Sequence, residues 1–186
     1  MQSSIPRHPV LEQGVPHAGN DAELSDELTA VVGGARRRAL RDGDRQIDTA
    51  HLLHSLLEYD PDVRAVFGEG PQLARLFGYL VQRSIGYGLR WQSGVERSGA
   101  GLGGGTDTES FSPLAAGAMQ DARDRAGLRG AAQARCVDLL AAIVVDPTSR
   151  AVEVLARAGI DPVRVFAYVD KNATGPVEDA ADGADT

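Results

Sequence analysis

The feature that most constrains this chain is a doubled spacing of apolar residues. Leu24, Leu28, Val31, Val32, Ala35 and Ala39 fall at offsets 0, 4, 7, 8, 11 and 15, and Phe111, Ala115, Ala118, Met119, Ala122 and Ala126 repeat that series 87 residues later. The period is that of one face of an α-helix. The same shift carries Ser25 onto Ser112, Gly43 onto Gly130, Thr49 onto Cys136, Ala50 onto Val137, His51 onto Asp138 and Leu52-Leu53 onto Leu139-Leu140. An internal copy in unbroken register points to two equal helical units, each with an apolar face that needs a partner.

Local signals divide each unit into four helices. Ser25 is placed as a cap before Asp26-Glu27, and Asp42-Gly43-Asp44 as the stop of the first helix. Gly33 and Gly34 inside it mean either close packing or tolerated drift. Asp48 or Thr49 caps a second helix that buries Leu52, Leu53, Leu56 and Leu57; Pro61 opens a third; Pro71 opens a fourth through Leu73, Leu76, Phe77, Leu80 and Val81. In the second unit Ser112-Pro113 starts the first helix, the third runs from Thr148 to Ala158, and Asp161-Pro162 caps the last. The expected architecture is all-α: two tandem pseudo-symmetric four-helix repeats packed as one domain over 23–171, repeat one at 24–92 and repeat two at 111–171. A Gly-rich linker is expected at 93–110, with disordered tails at 1–22 and 172–186.

A formal net charge of −7 opposes a phosphate backbone, so no nucleic-acid partner is expected. The alternative, a helical transcriptional regulator or DNA-associated protein, would have to use Arg36-Arg37-Arg38, which reads as a solvated face or an acidic-partner patch. The single cysteine, Cys136, excludes an internal disulfide and fits a reducing cytoplasm; no apolar run approaches the roughly 20 residues of a membrane span. The expectation is a cytoplasmic monomer. The Gly101–Gly105 run lacks the Lys-Ser/Thr ending and the preceding strand of a phosphate loop, so no nucleotide or other cofactor is expected.

His51 and His54 share a helix face without a third ligand, so no metal is expected either. Cys136 at a helix start would have a lowered pKa, but no base is in view to complete a nucleophilic pair, and no enzyme is expected. Trp91, Tyr79 and Tyr87 border the linker, where they cover core or form part of a peptide-binding surface.

Two segments carry a family resemblance: Gly43 to Leu57, GDRQIDTAHLLHSLL, and the doubled pattern of Ser25–Leu57 with Phe111–Phe166. They resemble the tandem repeats of the Clp N-terminal domain, the substrate-receiving module of AAA+ unfoldases such as ClpC and ClpA. Without Walker A or Walker B segments, the chain is expected to be a stand-alone N-domain-like module. The resemblance implies a protein or peptide partner: a Clp unfoldase, its adaptors or substrates, or a cyclic-peptide antibiotic that targets such domains. It also implies two related pockets that hold phosphorylated arginine, each with a helix-start hydroxyl and a glutamate for the guanidinium. Here the hydroxyls persist as Ser25 and Ser112, whereas the glutamate positions are Ala50 and Val137. The binding candidates are therefore Ser25, Thr49, Ala50, His51, Ser112, Cys136, Val137 and Asp138.

Overall fold

Short parallel pairings between the two repeats fix how they meet. In a computed structural model, which describes residues 22–68, 70–84, 96 and 111–173, strand β1 (Glu23–Leu24) pairs with β2 (Gln133–Ala134), Leu24 opposite Ala134. An isolated parallel bridge joins Ile47 to Phe111. These two bridges are each other's image under the 87-residue shift, as are the hydrogen bonds Ser25 N–H to Ala134 carbonyl (3.0 Å) and Ser112 N–H to Ile47 carbonyl (2.8 Å). The segment leading into each repeat's first helix is thus tied to the segment leading into the other repeat's second. That cross-bracing joins the repeats at their helix starts.

The helices follow the local signals closely. Repeat one contains α1 (Asp26–Asp42), α2 (Thr49–Tyr59), α3 (Pro61–Phe67) and α4 (Pro71–Ser84); repeat two contains α5 (Pro113–Leu128), α6 (Cys136–Val145), α7 (Arg150–Arg157) and α8 (Pro162–Ala173). Ser25 and Ser112 each accept the N–H three residues on, at 3.2 Å in both cases. Gly43, at φ 76°, ends α1 in the left-handed conformation that a side chain disfavours. Asp48 is the cap of α2, and Thr49 is its first helical residue.

α2 and α6 are the buried centre. α1 packs on α2 and α5 on α6, while α2 also meets α3, α5, α6 and α7. Leu52, Leu53, Leu56 and Leu57, with their counterparts Leu139, Leu140, Ile143 and Val144, are buried; fully burying each side chain is worth about 1.5–3 kcal/mol. Of the two helix glycines, only Gly34 is a close approach: a Cβ there would lie 2.6 Å from the Tyr59 ring, whereas Gly33 has room.

Some boundaries shift. Ala22, expected in the tail, is buried, and α8 continues through Asn172 and Ala173, where Asn172 was expected to begin the acidic tail. Val81, expected on the buried face of α4, is 50% exposed, because the face turned inward carries Leu76 and Leu80. Tyr79 packs partly buried against the core. The expected tail at 1–21, the remainder of the linker, Tyr87, Trp91 and the tail beyond 173 lie outside the described residues.

Candidate functional site

The cross-braced helix starts sort the candidate residues into two related places. Thr49, at the start of α2, and Ser112, the cap of α5, converge on one carboxylate. Ser25, the cap of α1, shares a groove with Cys136 and Val137 at the start of α6. Each place therefore combines a serine from one repeat with the second-helix start of the other. Spacing along one repeat could not reveal this, since the partners belong to different copies.

The Thr49–Ser112 place is filled by a residue the linker supplies. Glu96, within the stretch expected to be a plain Gly-rich connection, is 6% exposed. One carboxylate oxygen accepts the Thr49 N–H (3.0 Å) and the Ser112 hydroxyl (2.8 Å); the other accepts the Arg150 N–H (2.7 Å) and the Thr49 hydroxyl. Helix starts suit an anion, because their first N–H groups lack partners within the helix and the helix dipole is positive there. Nothing local distinguishes Glu96 from Asp107 or Glu109 in the same stretch, so the sequence carries no signal for it.

The other groove has a volume of about 630 Å³ and is lined by Ser25, Glu27, Asp60, Asp62, Cys136, Val137 and Tyr168, among others. Its chemistry is different. Burial pushes the Cys136 thiol up, and Asp60 and Glu27 push in the same direction, which corrects the lowering expected from its helix-start position. The thiol stays protonated and serves as a small buried side chain. Ala50 is fully buried in the core and serves as a packing residue; Val137 is partly buried at the groove.

His51 and Asp138 cap rather than line. The His51 Nδ1 accepts the Asp48 N–H (3.1 Å), while Asp48 accepts the His51 N–H (2.9 Å), a reciprocal capping box. In repeat two Asp138 accepts the Arg135 N–H (2.9 Å), the half of the box that an arginine cap permits. Behind these caps Asp42 lies 3.6 Å from the His51 ring, and its counterpart Arg129 forms an ion pair with Asp138 at 2.6 Å.

Asp48 also anchors the frame around Glu96. Its carboxylate receives Arg150 at 2.6 Å and Arg83 beside it, and Arg83 reaches Asp44 at 3.3 Å. Burial would raise the Asp48 pKa, but the His51 hydrogen bond and the two arginines outweigh it and hold the carboxyl well below its usual range. Asp44, Asp48 and His51 place oxygen and nitrogen atoms within 4.8 Å of one another. That cluster is chemically committed: the arginines occupy its carboxylates, and with Nδ1 accepting from Asp48 the neutral ring carries its proton on Nε2, where a metal would need a lone pair. Of the arginine run, Arg37 donates to the Tyr59 hydroxyl at 2.9 Å and Arg38 pairs with Glu58.

No protein-family model matches the chain, and no curated protein matches it either. Solved structures do. The N-terminal domain of ClpD, the caseinolytic-protease-associated chaperone of Arabidopsis thaliana, matches with a TM-score of 0.59 at 17% identity, over 82% of this chain and 96% of that one. A structure from investigations of a malarial protein secretion system matches with a TM-score of 0.58 at 14% identity, over 81% of this chain and 94% of that one. Two cross-braced helical repeats with this coverage constitute a Clp N-terminal-domain-like fold.

Proposed function

We propose that the chain is a non-catalytic protein- or peptide-binding module linked to Clp-dependent proteolysis, acting as an adaptor, a decoy or a sequestering homologue of an unfoldase N-domain. The observation that carries this reading is the pair of related inter-repeat sites on a Clp N-terminal-domain-like fold. Each combines a helix-capping serine with the start of a second helix, a place suited to grip a polar group of a partner. The buried groups support binding over catalysis: Cys136 is held protonated and the His51 ring is committed to its cap. No helix among the described residues is long and apolar enough to cross a membrane.

The test is affinity capture from native cytoplasm with the full chain. Enrichment of a Clp unfoldase, its adaptors or its clients is the expected result, and their absence rejects the reading. Titration with phosphoarginine in a calorimeter refines it. Loss of both carboxylates, at Ala50 and Val137, removes charge-assisted hydrogen bonds worth roughly 1.5–3 kcal/mol each. Affinity weaker than micromolar is therefore expected.

A further inference from the structure

We propose that the site formed by Thr49, Ser112 and the start of α7 is a preformed oxyanion site occupied in cis by the Glu96 carboxylate, which an external oxyanion must displace. This rests on the reading of the inter-repeat places as binding sites and adds the means by which one of them is kept closed.

Three observations carry it. Glu96 presents an anion to four donors, two of them the first N–H groups of α2 and α7. Such charge-assisted bonds are what a carboxylate or phosphate ligand would make in the same place. The donors are also held independently of Glu96. Ser112 Oγ caps Ala115 N–H at 3.2 Å, Thr49 Oγ accepts the Ala151 N–H at 3.1 Å, and Arg150 is anchored through its guanidinium on Asp48. Taking Glu96 away leaves the donor set in position, with orphaned N–H groups that favour a replacement anion. Finally, space adjoins the site: a pocket of about 360 Å³ shares Thr49 with it and is walled by Ser149 and Ile143. A ligand whose anionic group replaced the Glu96 carboxylate would have room for its remainder there.

A tethered carboxylate competes at an effective concentration of the order of millimolar, so the native chain should bind free oxyanions weakly. Inorganic phosphate is the probe. In the full chain, Glu96→Ala is expected to bind phosphate at least tenfold more tightly than wild type, with amide shifts in NMR spectra confined to Thr49, Ser112, Arg150 and Ala151. Phosphate should then raise the melting temperature of Glu96→Ala and leave that of wild type nearly unchanged. Adding Ser112→Ala to Glu96→Ala should abolish most of the gain. Equal phosphate affinity in Glu96→Ala and wild type, or shifts located elsewhere, would overturn the proposal. So would failure of both Glu96→Ala and the isosteric Glu96→Gln to fold, because a group the fold depends on is a latch and not a displaceable occupant. The phosphate titration uses no protein partner, so its outcome is read separately from that of the affinity capture.

Discussion

The two inter-repeat places are related by the 87-residue shift and differ in opposite directions. Around Thr49 and Ser112 the donors remain and an internal carboxylate fills them. Around Cys136 and Ser25 a thiol stands where repeat one has the Thr49 hydroxyl, and Glu27, Asp60 and Asp62 line the approach that an anion would take. The first place is built for negative charge and supplied with it, whereas the second repels it and stays open. A duplicated scaffold can therefore preserve its backbone geometry, down to matching 3.2 Å serine caps, while its two sites acquire different electrostatics.

The sharpest way to break this comparison is at the two caps behind the sites. Asp48→Ala removes a helix cap and leaves Arg83 and Arg150 without their shared buried carboxylate, which should cost about 3–5 kcal/mol in urea unfolding. Its counterpart Arg135 is exposed and makes no side-chain cap bond, so Arg135→Ala should stay within about 0.5 kcal/mol. Equal costs would show that the repeats do not divide their electrostatic roles as described.

A smaller effect should separate the repeats at the packing of their first two helices. In repeat one Gly34 lies against Tyr59, and a Cβ would meet the ring at 2.6 Å. The corresponding positions in repeat two are Asp121 and Asp146, both on the wall of the 360 Å³ pocket, so the space the tyrosine ring takes up in one repeat is open in the other. Gly34→Val should therefore destabilise by about 1–3 kcal/mol through overpacking. Asp121→Val, which faces open space, should change stability by less than about 1 kcal/mol, and thermal unfolding of the two variants measures the contrast.

A further expected difference is a pH dependence that repeat one carries through His54. His54 is buried against Phe77, and its counterpart in repeat two is Ala141. Burial, reinforced by Arg38, pushes the His54 pKa down to about 4 from 6.5. A histidine depressed in the folded state binds its proton more readily when unfolded. Its contribution is therefore complete above about pH 6.5 and is lost as the pH falls from there towards about 4. His54→Gln should flatten the stability profile across that window in urea melts at successive pH values. A profile unchanged by the substitution would remove His54 as its cause.

Much of the architecture was legible because it is locally encoded. Ser25, Ser112, Pro61, Pro71 and Pro113 announce helix starts through the unsatisfied N–H groups beside them, and Gly43 announces a stop through its left-handed backbone. The leucines of DTAHLLHSLL announce the buried helix by their period. Thr49 and Ser112 were legible as candidates but not as partners, and Ser25 and Cys136 likewise.

By itself, then, the sequence determined that there are two copies, where their helices begin and end, and that positions 50 and 137 carry no carboxylate. Only the tertiary structure decided which copy's serine meets which copy's helix start, that Arg83 and Arg150 converge on Asp48, and that Glu96 fills one of the two sites. The reason is the range of the interactions. Caps and amphipathic faces are satisfied within three or four residues, so their residue types appear at fixed local spacings. Glu96 finds its donors 47, 16 and 54 residues away, and Arg150 reaches Asp48 across 102. At such separations no spacing rule links the partners, and only the packing of the two repeats brings them together.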